Sequence, residues 1–189
     1  MTSGRAYMRY AQIDPEDLTA DQRELYQMVV DGPRSATQTT PIDSRGRLRG
    51  PFQAMLAAPG IGKVIQEVGE FLRFKGSLPG RLRELAICVV ANELDCSYEW
   101  RVHEQFARQE GATAEQLDCI QSGHPIPDLT VGEREGLRLC YALVRRTDVA
   151  DELFSAVANA LGIEQTIEIA YLVGYYAMLD GILRTTALG

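Results

Sequence analysis

The sequence has little of what usually builds a metal centre, a disulfide framework or a nucleic-acid surface. Its two histidines, His103 and His124, have no Cys/His cluster near them, so a structural zinc site would need ligands from distant parts of the chain, and no metal is expected. Four cysteines, Cys88, Cys96, Cys119 and Cys140, occur in a chain of cytosolic character, where thiols stay reduced; a disulfide framework is not indicated. Lys and Arg number 19 against 26 Asp and Glu, a net charge of -7, and the basic residues are scattered. Nothing there would neutralise a run of phosphates, so no nucleic-acid partner is expected. The longest apolar run, Ile169 to Leu179, is closed by Glu168 and Asp180 and is shorter than the roughly 20 residues that cross a bilayer, so no membrane span is expected either. Met1 to Asp14 lacks the apolar stretch of a secretory signal, which points to the cytoplasm.

What is present describes a folded globular protein: 189 residues, 46% hydrophobic and 24% charged. Thr19 with Gln22 forms a capping signature, and a first helix is predicted from Ala20 to Asp31, stopped by Gly32 and Pro33. The stretch from Pro33 to Gly50 has no apolar period and is expected to be a long loop that orders against a neighbouring subunit or over the active site. Val64, Ile65, Val68, Phe71 and Leu72 give one buried face to a helix from Ile61 to Phe74. Pro79 opens a third helix continuing toward Leu94, and a fourth runs from Cys96 to Glu110 and ends at Gly111. Thr113 with Gln116 and Thr130 with Glu133 repeat the capping signature, and Ala150–Leu161 and Glu164–Thr185 supply the last two helices. The last is apolar nearly all round, suiting a central helix or a subunit contact. The expected organisation is an N-terminal helix and loop over residues 1–49, then a helical domain over residues 50–189, as one compact all-α domain.

Cys96, Glu99 and His103 are spaced three and four apart, which sets a thiol, a carboxylate and an imidazole on one face of a single helix. Glu84 lies twelve residues before Cys96, on the preceding helix. A short break near Asp95 would turn the two helices back on each other and bring Glu84 toward His103 as a proton relay. Spacing alone leaves this open, because helical Glu and His are more often solvated and a lone Cys more often fills a core.

Glu84, followed by Cys96-Ser97-Tyr98-Glu99-Trp100 and Arg101-Val102-His103, resembles the core motif of the carboxymuconolactone decarboxylase family of the alkylhydroperoxidase-D-like superfamily. Gly50 to Leu56, Phe71 to Phe74, Leu82 to Ala86 and Val173 to Tyr176 resemble family sequence as well. The resemblance implies an alkylhydroperoxidase-D-like helical bundle, assembled as a homo-oligomer, a trimer or a multiple of it. It also implies an active site built on Glu84, Cys96, Glu99 and His103.

The peroxidase branch of that superfamily carries a C-x-x-C pair, and here Glu99 stands where the second cysteine would be. A carboxylate cannot close a disulfide, so two-cysteine peroxidase chemistry is disfavoured. The decarboxylase branch implies cofactor-free chemistry on a small unsaturated carboxylic acid or lactone, decarboxylation or isomerisation. His103 is then the proton donor, oriented by Glu84, with Glu99 as second acid or base. The alternative is a thiol-dependent, alkylhydroperoxidase-like antioxidant protein acting through Cys96 alone. Tyr98 can bond to substrate or pack, and is the substrate-binding candidate; Trp100 falls on the far side of the helix from the relay and suits the core. Arg73, Arg81, Arg83 and Arg101 are possible partners of a substrate carboxylate, and His124 suits an exposed loop.

Overall fold

The structure, a computed structural model, describes residue 9 and residues 11–37 and 41–188. Nine α-helices carry the fold among these residues: α1 (Ala20–Val30), α2 (Gly50–Met55), α3 (Pro59–Phe74), α4 (Gly80–Glu93), α5 (Ser97–Gln109), α6 (Ala114–Ser122), α7 (Val131–Val144), α8 (Asp151–Leu161) and α9 (Ile163–Thr186). No strand forms among the described residues beyond one isolated bridge, Ile42 to Leu48. The all-α class read from the sequence holds. Its three capping signatures are all capping boxes: Thr19 with Gln22, Thr113 with Gln116, and Thr130 with Glu133 each satisfy two otherwise free backbone donors. Helix α2 has no counterpart in the apolar periodicity, since its six residues are too few to show a period.

Contacts divide the chain into two compact units, residues 1–74 with 181–189, and residues 75–180. In the first unit α3 packs on α1 and α2, but not by the apolar face expected of it: Val64, Val68 and Phe71 are exposed, and the buried residues are Gly62, Gln66, Gly69 and Leu72. Gly62 makes room for α2, because a Cβ there would sit 2.7 Å from the Met55 carbonyl oxygen and 2.9 Å from Met55 Cβ. The described part of the stretch from Pro33 to Gly50 has local structure of its own: Pro33–Ala36 form a 3-10 turn, and the Asp43 carboxylate accepts from the backbone N–H of Arg45 (2.8 Å) and Arg47 (3.0 Å). Residues 38–40 of that stretch lie outside the described residues. Arg34 is buried here, its guanidinium 5.1 Å from the ring centre of Phe52 and 5.7 Å from that of Phe74, and it donates to Gln66 Oε1. Gln66 Nε2 in turn donates to Glu70 Oε2 at 3.2 Å.

In the second unit α4 is the core helix, buried on every face from Leu85 to Ala91 and packed by α5, α6 and α7. Gly136 lets α7 close on this core; a Cβ there would already be 3.2 Å from Leu82, Leu161 and Ile169 methyl groups. Helix α4 ends in a Schellman turn, with Cys96 N–H donating to the Ala91 carbonyl (2.8 Å) and Asp95 N–H to that of Asn92 (3.2 Å). Asp95 takes the left-handed conformation that this turn requires, φ 54°, which Asp tolerates better than most residues. The break predicted near Asp95 is therefore present, and it folds α5 back along α4.

Helix α9 has 24 residues, longer than the apolar run suggested, and by length and composition alone it would pass for a bilayer-crossing segment. More than half of its most apolar window, 56%, is buried within the protein. It also carries the Glu168 carboxylate, which accepts from Ser77 N–H (2.8 Å) and Ser77 Oγ (2.7 Å). Those are the properties of a core helix. One stripe of it nevertheless faces outward, with Ile163, Ile167 and Tyr171 exposed.

Candidate active site

All four residues of the predicted constellation lie in the second unit and all are buried. Glu84 projects from the second turn of α4, Cys96 is the N-cap of α5, Glu99 sits in its first turn and His103 follows four residues later. Glu84 Oε2 lies 2.6 Å from His103 Nδ1, with the two side chains 1% and 4% exposed, and Glu84 Oε1 accepts from Arg83 Nε at 3.1 Å. A carboxylate can only accept, so the shared proton belongs on Nδ1 and Nε2 is the position whose proton can change. Nε2 has Glu99 Oε2 3.5 Å away. The other oxygen of that carboxylate, Oε1, is buried with no hydrogen-bond partner, a costly arrangement in a folded interior. The imidazole is walled by Tyr176, edge-on at 5.0 Å and 86°, and by Phe106 at 5.8 Å.

Cys96 begins the same helix, α5, as its N-cap. Burial pushes its thiol up to about 11; the Glu99 backbone N–H works against the shift, while the Glu99 and Asp180 carboxylates, the latter hydrogen-bonded to the thiol, add to it. Cys88 and Cys140, both fully buried, are pushed higher still by desolvation, and all four cysteines are free. A cavity of about 250 Å³ lies beside Cys96, lined also by Asn92, Ser97, Trp100, Arg101 and Gln121. Of the four constellation residues only Cys96 lines it. Trp100 is half-buried on its wall rather than sealed in the core, and Tyr98, the substrate-binding candidate, does not line it. His124 is exposed in the loop after α6. Among the described residues no group of three or more His, Cys, Asp or Glu side chains is placed to hold a metal ion.

Two contributors were not picked out from the sequence. Tyr176 stood in a family-like segment with no role attached to it. Asp180 is a buried carboxylate that reaches Cys96 from far along the chain. The only signal for it was a charge inside an otherwise apolar helix, where an acid persists only with a partner.

Residues 59–122 match the model of the carboxymuconolactone decarboxylase family, a span that contains all four constellation residues. The fold is that of an uncharacterized peroxidase-related protein with an alkylhydroperoxidase AhpD core from Ralstonia eutropha JMP134, with TM-score 0.76, 17% identity, and 96% of this chain and 91% of that one covered. It is also similar to the debrominase Bmp8. A Cys-to-Ala variant of that protein in complex with 2,3,4-tribromopyrrole gives TM-score 0.72 at 14% identity, covering 97% of this chain and 93% of that one. The apo form gives 0.67 at 13% identity, covering 90% and 86%. No curated protein matches the sequence.

Proposed function

We propose that this chain is a member of the carboxymuconolactone decarboxylase family and a cofactor-independent lyase or isomerase of small unsaturated carboxylic acids or lactones, a reading supported by the family match over residues 59–122 and by the AhpD-like fold. The observation that carries the proposal is the buried 2.6 Å contact of Glu84 with His103 Nδ1, which fixes the ring and leaves Nε2 beside Glu99. In decarboxylation the bond to the carboxyl carbon breaks, carbon dioxide leaves, and the electron pair is held by the adjacent unsaturation until a carbon accepts a proton. His103 Nε2 supplies that proton, and Glu99, with one oxygen unengaged, returns one to the ring. Isomerisation uses the same group twice, taking a proton from one carbon and giving it to another.

The cavity beside Cys96 is the candidate substrate entrance: Arg101 can meet a carboxylate and Trp100 offers a flat wall, while His103 and Glu99 do not line it, so the reading requires the site to open further toward the imidazole. That a protein of the same fold binds a small planar ring, 2,3,4-tribromopyrrole, supports a ligand of this size. The test is a panel of unsaturated acids and lactones followed by product analysis and by the fluorescence of Trp100, the sole tryptophan. On the substrate so found, His103→Ala lowers kcat at least about a hundredfold while KM changes little. Unchanged turnover would remove the relay from the mechanism.

A thiol-dependent antioxidant activity through Cys96 is the second reading, supported by the peroxidase-related relative and by the placement of Cys96 on the cavity wall. The raised thiol and the carboxylate of Glu99 where a resolving cysteine would stand weigh against it.

The proposal includes a homo-oligomer, a trimer or a multiple of it. Its support is two exposed apolar stripes, Ile61, Val64, Val68 and Phe71 on α3, and Ile163, Ile167 and Tyr171 on α9. A cytoplasmic location fits four free cysteines.

A further inference from the structure

A second cavity, of about 380 Å³, opens in the unit of residues 75–180 between the loop after α6 and one face of α7. Arg134, Arg138, Tyr141 and Arg145 follow one another at intervals of four, three and four, a spacing that aligns them on one stripe of α7 and its C-cap. Two arginines one turn apart repel each other, and here they share one carboxylate: Arg134 Nε donates to Glu135 Oε1 at 3.2 Å, and Arg138 Nη1 donates to Glu135 Oε2. The fork of Arg145 donates to both oxygens of Glu93 at 2.7 Å and lies 4.6 Å over the Tyr141 ring. Three guanidiniums thus face two carboxylates, leaving an excess of positive charge on one wall of a protein whose net charge is -7. Behind them the wall is apolar: Leu137 is 2% exposed, and burial pushes the Tyr141 hydroxyl up to about 12, so it stays neutral. His124 stands at the rim, its Nδ1 2.9 Å from Ser122 Oγ.

We propose that this cavity binds a small organic carboxylate with an apolar, ring-sized body. The volume falls within the range of small-molecule sites. Arg134 and Arg138 hold the carboxylate through N–H groups that Glu135 alone does not use, since each guanidinium offers five donors. The body of the ligand rests on Leu137 and the Tyr141 ring. No lining residue is shared with the cavity beside Cys96, so this is a second site that stands or falls apart from the catalytic reading.

The test is thermal melting of the full chain titrated with benzoate, beside benzyl alcohol as the neutral analogue and inorganic phosphate as the anion without an apolar body. Benzoate is expected to raise the melting temperature saturably below about 10 mM, with the other two much weaker. The double variant Arg134→Gln, Arg138→Gln is expected to weaken the apparent affinity at least about tenfold. Both side chains are more than half exposed, 55% and 58%, so the fold tolerates the change. Arg138→Lys, which keeps the charge and removes the fork, is expected to weaken binding too. An unshifted melting temperature, a benzoate response retained in the double variant, or a phosphate response equal to that of benzoate would each overturn the proposal. Trp100 fluorescence reports the other cavity, so a benzoate signal there that the arginine variants leave intact marks binding at the catalytic site instead and also counts against it.

Discussion

Arg34 in the first unit and His103 in the second are both ionisable side chains taken out of water, and the two are finished differently. Arg34 has its guanidinium over the rings of Phe52 and Phe74 and donates to Gln66, whose amide in turn donates to Glu70. Beside His103, Glu84 lies 2.6 Å from one nitrogen, Glu99 stands 3.5 Å from the other, and the open end is Glu99 Oε1, which is buried without a hydrogen-bond partner. A closed network rigidifies a fold. An open one keeps a valence for a proton or a substrate, at a cost in stability that functional sites commonly carry. Arg34 and His103 are equally sheltered, and the difference in their surroundings supports a structural role for Arg34 and the proposed proton transfer for His103.

The sharpest way to break this assignment is to leave each cluster its shape and remove its bond. Glu84→Gln keeps the outline of the side chain but no longer takes the His103 Nδ1–H as a charged acceptor, and it is expected to lower kcat on the true substrate about a hundredfold. Steady-state kinetics check it; full activity would mean that the pair is as structural as Arg34. Arg34→Met is expected to destabilise the protein by about 2 kcal/mol in urea denaturation, because Gln66 loses a charged donor inside the core. A change within about 0.5 kcal/mol would show that the enclosure contributes no more than an ordinary surface contact.

The smallest expected effect belongs to Cys96. Cys96→Ser should leave turnover within about threefold if the thiol forms no covalent bond. Iodoacetamide labelling of the Cys96 thiol should rise with pH toward about 11, where burial has placed its titration. Because the folded state holds this proton more tightly than the unfolded chain, with its value near 9.0, the contribution to stability is present below pH 9 and lost between pH 9 and 11. Labelling already half complete near pH 7 would restore the thiol chemistry.

The α4 to α5 segment was legible in the sequence because everything that defines it is local: an apolar helix, a break that Asp95 can adopt, and three residues at helical spacing. The capping boxes were legible for the same reason. Asp180 and Tyr176 were not, since their proximity to Cys96 and His103 depends on how α9 packs, which no short-range pattern encodes. The turn at Asp43 within the long loop from Pro33 to Gly50 is not legible, because it is held by backbone groups donating to a carboxylate rather than by apolar periodicity. The arginine stripe of α7 was visible as spacing, but the cavity it borders exists only once the loop from Gly123 to Leu129 is in place.

The Schellman turn at Asp95 has a consequence for how this gene can vary. Each residue advances a helix by about 100°, so one codon inserted or deleted between Glu84 and His103 would swing the imidazole away from its carboxylate even if both helices formed perfectly. A change of length in that interval therefore undoes the pairing even where every side chain is kept. Natural or engineered indels should accumulate in segments such as the exposed connection over residues 146–150 and be purged here, which makes the spacing itself, more than any one side chain, the inherited part.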